Sequence, residues 1–357
     1  MGNAGFESNR SIVGLIANPA SGKDIRRLVT HATVFDNNEK INIIRRVLLG
    51  LDALGIQQVL AMPDNFGMVL EAHRKANVSL TVELLEMPLK NGTVDSTNAA
   101  TRMANAGVGC IVTLGGDGTN RAVAKGCGYV PLVPISTGTN NAFPVMIEGT
   151  LAGLAAAAVA LRIPGVREAG VRLAPRLDIY REREQIDFAL VDVVAYAERF
   201  VASGAIWDPQ KIQTVVLAHP RPGTIGASAI GGCLPQASVN KKTGMWIELA
   251  TKESGSEEPA SKESASSGQP ILAPIAPGVV AELTIHSYRE LAVGEGGTIS
   301  AAPSVLAMDG EREIPIKAGD TIEVRLSQNG PHVVDVTAVL QAASQAGAFT
   351  NPLFWRS

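Results

Sequence analysis

The segment VTLGGDGTNRAV at residues 112–123 places three glycines and one aspartate between an apolar run and a run with helical spacing. Gly115, Gly116 and Gly118 allow the backbone to approach a ligand closely and to turn its amides toward an anion. Asp117 would repel that anion, so its presence needs a separate chemical reason. A plain turn that ends in an N-cap residue is the alternative interpretation of such a loop.

Strand-like and helix-like runs alternate on both sides of this loop. The short apolar runs that predict strands cover residues 11–17, 56–62, 79–86, 109–114 and 130–135. The runs with helical spacing cover residues 38–55, 66–76, 95–106 and a segment from about residue 120. This α/β order predicts a doubly wound parallel sheet covered by helices on both faces. Ligands of such sheets bind at the carboxyl ends of the strands, where residues 115–119 must lie.

The second part of the chain predicts a β-rich, sandwich-like domain, because beyond about residue 170 short β-branched runs alternate with turn residues. We expect an α/β nucleotide-phosphate-binding domain at residues 11–150 and the β-rich domain at 151–332. Residues 251–270 carry no large apolar side chain and predict a flexible insertion. Residues 333–357 predict a C-terminal helix that packs back onto the core.

The composition describes a globular protein without a strong charge of either sign. Hydrophobic residues make up 46% of the 357 residues, charged residues make up 18%, and the formal net charge is -3. This charge balance disfavours a nucleic-acid partner. The apolar stretch at 151–161 is too short to span a bilayer, so no membrane partner is expected. No export signal opens the sequence, so a cytoplasmic location is expected. Homo-oligomers are compatible with this composition.

The cysteines and histidines predict no structural metal. Cys110, Cys127 and Cys233 show no metal-ligand spacing, and the five histidines form no metal-binding motif. Small buried residues are the favoured interpretation of the cysteines.

Three loops suited to phosphate follow predicted strands at equivalent positions. They read NPASGKDIRR at 18–27, GGDGTN at 115–120 and STGTNN at 136–141. Because the carboxyl ends of parallel strands meet at one edge, the three loops predict a polyphosphate pocket. The candidate charge partners of the phosphates are Lys23, Arg26, Arg27 and Arg121. A solvated helix face is the alternative interpretation of the basic residues at 23–27.

The glycine pattern excludes two familiar nucleotide motifs. Neither the G-x-G-x-x-G fingerprint after a strand nor the G-x-x-x-x-G-K-[ST] loop is present. A carboxylate beside phosphates has two chemical uses, since it can bind the metal that neutralises them or accept a proton from the attacking hydroxyl. Both uses belong to phosphoryl transfer, so Asp117 is the candidate catalytic residue.

These motifs also carry a family resemblance. TLGGDGTNRAV (113–123), NPASGKDIRR (18–27), GTVDSTNAA (92–100) and LAMDGEREIPIKAGDTIEVRLS (306–327) resemble the superfamily of NAD kinases, diacylglycerol kinases and sphingosine kinases. Within it, the sequence is most similar to the ATP-NAD kinase-like proteins known as acetoin catabolism protein X. The resemblance runs through most of residues 11–350 apart from the insertion, and it implies a NAD kinase-like two-domain fold.

The resemblance also implies roles for individual residues, with ATP and Mg²⁺ as the cofactors and NAD or a related small metabolite as a substrate. Asp117 would be the catalytic carboxylate. The nucleotide or its phosphates would be held by residues of the three loops, namely Asn18, Ser21, Gly22, Lys23, Gly115, Gly116, Gly118, Thr119, Asn120, Gly138, Thr139 and Asn140. Asp309 and Glu311 would lie near a ribose or a magnesium ion, although a hairpin turn is the alternative interpretation of DGE.

One departure concerns the phosphate acceptor. NAD kinases hold the dinucleotide with an Asn-Glu pair, for which the counterparts here are Val191 and Asp192. Valine cannot make the hydrogen bonds of asparagine, so the acceptor stays open. The favoured hypothesis is an ATP-dependent small-molecule kinase that phosphorylates a hydroxyl, as in NADP biosynthesis. A lipid kinase of the diacylglycerol type and a nucleotide-binding regulatory protein without turnover are the alternatives.

Overall fold

A computed structural model describes most of the chain. The described residues are 11–21, 36–138, 140–196, 209–235, 237, 243–250, 268–299, 304–310, 312–317 and 319–351. The elements in chain order are β1 (Ile12–Ala17), α1 (Asn37–Ala53), β2 (Gln58–Ala61), α2 (Met68–Ala76), β3 (Thr81–Leu84), α3 (Thr93–Asn105), β4 (Cys110–Gly115), α4 (Asp117–Ala124), β5 (Leu132–Ser136), α5 (Gly149–Ala160), α6 (Val166–Gly170), β6 (Val171–Leu173), β7 (Arg176–Arg181), β8 (Glu184–Ala189), β9 (Asp192–Tyr196), β10 (Ile212–Leu217), α7 (Ala227–Gly232), β11 (Gly244–Leu249), β12 (Gln269–Ala276), β13 (Val279–Leu291), β14 (Gly296–Ile299), β15 (Ser304–Met308), β16 (Arg312–Ile316), β17 (Ile322–Ser327), β18 (His332–Val334) and α8 (Val336–Gln345).

The first sheet has seven strands in the order β3-β2-β1-β4-β5-β18-β6. Its first five strands are parallel, as continuous apolar runs joined by helices require. One core lies between the sheet and α1, α2, α5, α6 and α8, and a second lies between the sheet and α3 and α4. The predicted doubly wound sheet with helices on both faces is therefore confirmed.

Small residues allow α1 and α5 to pack closely in the first of these cores. A Cβ atom on Gly50 would lie 2.4 Å from the carbonyl oxygen of Thr150, and one on Gly153 would lie 2.3 Å from that of Val47. The alanine-rich run that was predicted as a buried helix is α5, since its residues 155–159 are fully or almost fully buried.

The second unit consists of two sheets whose assigned strand pairings are all antiparallel. One sheet has the order β12-β13-β11-β10-β9-β15-β16 and the other the order β14-β17-β7-β8. Buried side chains of both sheets, such as Leu177 and Val324 from the smaller and Val193 and Leu306 from the larger, share one core. The predicted β-rich second region is confirmed as this two-sheet arrangement.

The division between the two units differs from the predicted boundary at residue 150. The helices α5 and α6 pack with the first core, and β6 completes the first sheet beside β18, so the units divide near residue 174. The apolar run 151–161 predicts a buried helix but does not indicate which sheet the helix packs against, and this explains the difference. The helix α8 lies against α5 and α6. Of the predicted insertion, residues 251–267 lie outside the described residues, and β12 already includes residues 269 and 270.

Helix α4 begins at Asp117, three residues before the predicted start. Gly116 is the extended N-cap residue, with φ −95° and ψ −169°. An acidic side chain in the first turn suits the partial positive charge of a helix N-terminus. The helix start could not be predicted from the sequence, because three of the four residues 115–118 are glycines and glycine has a low helix propensity. Among the described residues, no helix is both long enough and apolar enough to cross a membrane.

Candidate functional site

Three loops meet at the carboxyl edge of the first sheet, because β1, β4 and β5 are neighbouring parallel strands. The amide Nδ2 of Asn18 in the first loop donates to Oγ1 of Thr119 at 2.9 Å. The hydroxyls of Ser21 and Thr137 lie 2.9 Å apart and link the first loop to the third. The structure therefore brings the described residues of the three predicted phosphate loops together.

The buried side chain of Lys40 holds the first loop from below. Its Nζ atom donates to the carbonyl oxygens of Asn18 at 3.0 Å, Pro19 at 3.0 Å and Ser21 at 2.6 Å. The exposed fraction of Lys40 is 0%. The lysine thus fixes the loop and brings a positive charge close behind it. Lys40 was not among the candidate residues predicted from the sequence.

The glycine loop and the first turn of α4 form the centre of the site. A Cβ atom on Gly115 would lie 2.5 Å from Cβ of Thr119, so only glycine fits there. Asn120 is fully buried, with Oδ1 accepting from the Thr113 hydroxyl at 2.7 Å and Nδ2 donating to the Gly116 carbonyl at 2.9 Å. Asn120 was predicted to bind the nucleotide, but in the structure its side chain forms hydrogen bonds that stabilise the loop itself.

The backbone amides of α4 suit an anion at this point. Within the described part of the chain, the amides of Gly118 and Thr119 have no hydrogen-bond acceptor, whereas the next amide, of Asn120, donates to the Gly116 carbonyl. Free amides of a first helical turn together with the helix dipole favour phosphate oxygens. The predicted contacts of Gly116, Gly118 and Thr119 with phosphate are consistent with this geometry and stay a prediction.

The carboxylate of Asp117 points toward the third loop. Its Oδ1 accepts from the amides of Ala142 at 3.1 Å and Phe143 at 2.8 Å, and its Oδ2 lies 3.1 Å from the amide of Ala142. The exposed fraction of Asp117 is 9%. Asp117 therefore connects α4 to the loop after β5 through hydrogen bonds to both of its carboxylate oxygens.

Residues 136–143 form a loop that holds its own shape. The carbonyl of Gly138 accepts from the Ser136 hydroxyl at 2.7 Å, and Nδ2 of Asn141 donates to the Ser136 oxygen at 2.7 Å. Gly138 and Asn140, which were predicted to bind the nucleotide, lie on this loop after β5. Asn141 was not predicted and supports the turn.

Several predicted residues lie outside the described part of the chain. They are Gly22, Lys23, Arg26, Arg27, Thr139 and Glu311.

Arg121 was predicted to be a charge partner of the phosphates, but its guanidinium does not point at the phosphate edge. It is 5% exposed, its Nε lies 3.5 Å from Asp309 Oδ2, and its Nη1 lies 3.9 Å from Asp187 Oδ2. Both aspartates belong to the β-rich unit, so the guanidinium links the two units. Asp187 also lies 2.6 Å from Nζ of Lys125. The correction has a physical reason, since a buried guanidinium requires carboxylate partners.

The pKa values of the two aspartates shift in opposite directions. Burial alone would raise the pKa of Asp187, but the hydrogen bonds from Lys125 and the Phe188 amide, with the charges of Lys125 and Arg121, lower it below the ordinary value. Burial raises the pKa of Asp309, against the opposing effects of Arg121 and three backbone amides. The neighbouring donors and charges therefore outweigh burial at Asp187, whereas burial outweighs them at Asp309.

Asp309 lies in the hairpin turn between β15 and β16, with φ 48° followed by φ 68° at Gly310. Its carboxylate accepts from the amides of Leu190 at 3.0 Å, Val191 at 2.8 Å and Asp192 at 3.4 Å. The side chain has no exposed surface. The hairpin turn that the sequence left as the alternative is thus present, and the carboxylate binds backbone rather than facing an open ligand site.

The predicted acceptor side lies at the turn between β8 and β9. Asp192 is buried at the start of β9, and its carbonyl accepts from the amide of Asp309 at 3.2 Å. Val191 packs in an apolar cluster with Ala142 and Phe143 of the third loop. The acceptor-side turn and the loop that binds Asp117 therefore share one apolar cluster.

A cavity of about 410 Å³ lies at the opposite, amino-terminal edge of the first sheet. Its lining includes Gly109 and Pro131, which directly precede the strand residues of β4 and β5, and the side chains of Tyr129, Arg162 and Arg167. None of the predicted site residues lines it. The cavity and the carboxyl-edge site are separate features of the molecule.

Comparison with known proteins agrees with this geometry. Residues 13–162 match the ATP-NAD kinase N-terminal domain, so the first unit has the fold of that class. Residues 175–329 match the acetoin catabolism protein X C-terminal domain. The chain is 35% identical over 346 residues to acetoin catabolism protein X of Cupriavidus necator, with 94% of this chain and 92% of the relative covered. The chain belongs to the acetoin catabolism protein X family, which confirms the resemblance given above.

Proposed function

We propose that the protein is an ATP-dependent kinase of the NAD kinase-like type that phosphorylates a hydroxyl of NAD or a related metabolite. The carrying observation is the meeting of three linked loops at the N-terminus of α4, where two backbone amides have no acceptor within the described residues. The match to the ATP-NAD kinase N-terminal domain supports a nucleotide as the phosphate donor. The name of the relative suggests acetoin catabolism as the metabolic setting.

The residues present fit a magnesium nucleotide. The amides of Gly118 and Thr119 would hold phosphate oxygens of the nucleotide, and Mg²⁺ would be held mainly by those phosphate oxygens and water at this edge. Mg²⁺, when bound, neutralises charge on the phosphates. Lys40 adds a positive charge behind the first loop, which lowers the cost of placing an anion at this edge.

The proposed reaction moves one phosphoryl group. The oxygen of the acceptor hydroxyl forms a bond to the γ-phosphorus, the bond from that phosphorus to the β–γ bridging oxygen breaks, and ADP leaves with the bond electrons. Asp117 takes the proton of the hydroxyl on its carboxylate, which lies in the first turn of α4 between the glycine loop and the third loop. Positioning and charge neutralisation supply most of the catalysis in such a transfer.

The acceptor side supports a substrate other than one held as in NAD kinases. Val191 is 8% exposed and lies in an apolar cluster with Phe143, so its side chain offers no hydrogen bond. The buried carboxylate of Asp192 follows it in the chain. NAD is therefore one acceptor to be tested among other small hydroxyl compounds.

A second candidate is a nucleotide-binding regulatory protein without turnover. The observation that favours it is the use of Asp117 as a support for the third loop, because a carboxylate with a structural task does not require a catalytic one.

One experiment tests both candidates. Purified protein with Mg²⁺ and ATP is assayed for ATP binding by calorimetry and for phosphate transfer to NAD, to small hydroxyl metabolites and to diacylglycerol. Binding with transfer to a small acceptor supports the kinase. Binding without transfer to any acceptor supports the regulatory protein. Transfer to diacylglycerol alone indicates the lipid kinase, and the absence of nucleotide binding refutes the whole assignment.

A further inference from the structure

Arg121 and Asp309 connect the donor side of the proposed site, at α4, to its acceptor side, at the turn between β8 and β9. Arg121 lies on α4 four residues after Asp117, so both residues share one face of the helix. The Nε atom of Arg121 lies 3.5 Å from the carboxylate of Asp309 across the boundary between the units. That carboxylate holds the amides of residues 190–192 at 2.8–3.4 Å. The turn between β8 and β9 is thus attached to α4.

A second connection between α4 and this turn runs through the third loop. Leu190 and Val191, on the attached turn, belong to the apolar cluster against which Phe143 packs. The amide of Phe143 donates to Asp117 at 2.8 Å. Two separate connections therefore join α4 to the acceptor-side turn, one ionic through Arg121 and Asp309 and one through Asp117 and the loop 136–143.

We infer that Arg121 and Asp309 are a positioning pair, which sets the acceptor-side turn 190–192 at a fixed distance from the donor loop and from Asp117. The inference rests on the proposed function for its catalytic consequence. Neither side chain has a solvent-facing surface for a ligand, since the exposed fractions of the side chains are 6% and 0%. Their role is to orient the groups that contact the substrates.

The charges around Arg121 and Asp309 make a double variant, in which both side chains are replaced, an informative test of the pair. Asp187 has a second cation, Lys125 Nζ at 2.6 Å, so it stays paired when Arg121 is lost. Asp309, in contrast, loses its nearest cation when Arg121 is replaced. Arg121→Met therefore leaves one buried carboxylate without a cation, and Asp309→Asn added to it removes that unpaired charge.

The experiment compares Arg121→Met, Asp309→Asn, the double variant and the conservative Arg121→Lys with the parent protein. Arg74→Met is the matched control, because Arg74 is 74% exposed and pairs with Glu71 on the outer face of α2. Amide hydrogen exchange is followed in peptides that cover residues 142–143 and 190–192, together with thermal stability, ATP affinity and transfer kinetics.

We expect exchange of residues 190–192 to rise about tenfold or more in Arg121→Met and to stay at the parental rate in Arg74→Met. The double variant should regain most of the thermal stability lost by Arg121→Met, while its transfer rate stays reduced about tenfold or more. ATP affinity should stay within about threefold of the parent in all variants. Arg121→Lys should fall between the parent and Arg121→Met, since lysine cannot span both carboxylates.

The results that overturn the inference are independent of the proposed kinase. Parental exchange at residues 190–192 in Arg121→Met would refute the pair. Full recovery of transfer together with stability in the double variant would show a role in folding alone. A parent protein without transfer would refute the kinase, and the exchange measurement would still decide whether the pair positions the turn.

Discussion

Replacement of Lys40 by methionine should disorganise the first phosphate loop. The Nζ atom of Lys40 donates to the three carbonyls of Asn18, Pro19 and Ser21 at 2.6–3.0 Å. Methionine keeps the length and apolar character of the side chain but removes the donor and the charge. The loop would have to turn these carbonyls to water, and it would lose the link that fixes it over α1.

The expected loss of stability in Lys40→Met is the balance of two opposing contributions to the free energy of unfolding. Hydrogen bonds to a charged group contribute about 1.5–3 kcal/mol each. The burial of an ammonium group costs several kcal/mol, which methionine no longer incurs. Because the loop is partly exposed and water can replace some of the lost bonds, we expect a net loss of about 2–4 kcal/mol in the free energy of unfolding. For a unit of this size each kcal/mol lowers Tm by about 2–4 °C, which gives about 4–16 °C in total.

Thermal denaturation and calorimetric titration with ATP and Mg²⁺ measure the two consequences. ATP affinity should fall about tenfold or more, since the first loop and its underlying charge are both affected. Lys75→Met is the matched control, because Lys75 is 52% exposed and pairs only at the surface of α2 with Glu71. Its effect should stay below about 1 kcal/mol. A Lys40→Met protein with the same Tm and ATP affinity as Lys75→Met would refute the reasoning.

Two further predictions concern the glycine loop and the cysteines. Gly115→Ala should lower Tm and weaken ATP binding, because the added Cβ would lie 2.5 Å from Cβ of Thr119, and overpacking typically costs about 1–3 kcal/mol; parental values of both would contradict it. In native protein at about pH 8 a thiol reagent should label Cys233 alone, since Cys233 is exposed while burial raises the pKa of Cys110 to about 12 and of Cys127 to about 11; denaturant should release the other two thiols, and rapid labelling of all three before unfolding would contradict the burial.

The order of the first sheet could be predicted because each of its buried strands is a short continuous apolar run. The glycine loops follow these runs directly, so their meeting at one edge followed from the parallel order alone. The hydrogen bond from Asn18 to Thr119 and that between Ser21 and Thr137 could not be predicted, because they depend on side-chain orientation in two loops.

Lys40 shows a signal that was present in the sequence. It precedes Ile43, Ile44 and Val47 by three, four and seven residues, which places it on the apolar stripe of α1. A charged residue at such a position indicates a buried partner. The partner here is a set of carbonyls about twenty residues earlier in the chain, and the packing of α1 beneath the loop, which no local pattern encodes, brings them together.

Arg121 and Asp309 show the reverse situation. Both residue types beside glycine motifs are typical of phosphate or metal binding, so the sequence placed them at the ligand. The structure pairs them with each other across the two units, 188 positions apart in the chain. Local sequence cannot separate a charge that faces a ligand from one that faces another protein side chain, because the same chemistry suits both.

Asp117→Asn separates the catalytic from the supporting role of this carboxylate. Asparagine keeps an oxygen that can accept from Phe143 and Ala142, as Oδ1 does now, but its Nδ2 would replace Oδ2 at 3.1 Å from the donor of Ala142. One unfavourable contact of this kind should cost about 1–2 kcal/mol of stability.

The two roles predict different changes in rate and affinity. Loss of a general base lowers turnover about a hundredfold to ten-thousandfold, while ATP binding holds or tightens because a negative charge leaves the phosphate edge. Loss of a loop support alone lowers affinity and stability together, and turnover at saturating ATP stays within a few-fold of the parent. Calorimetry, Tm and saturating transfer rates on parent and variant decide between them. Because the amide bonds of Asp117 in the structure already account for a supporting role, only a fall in turnover much larger than the fall in affinity assigns the proton transfer to Asp117.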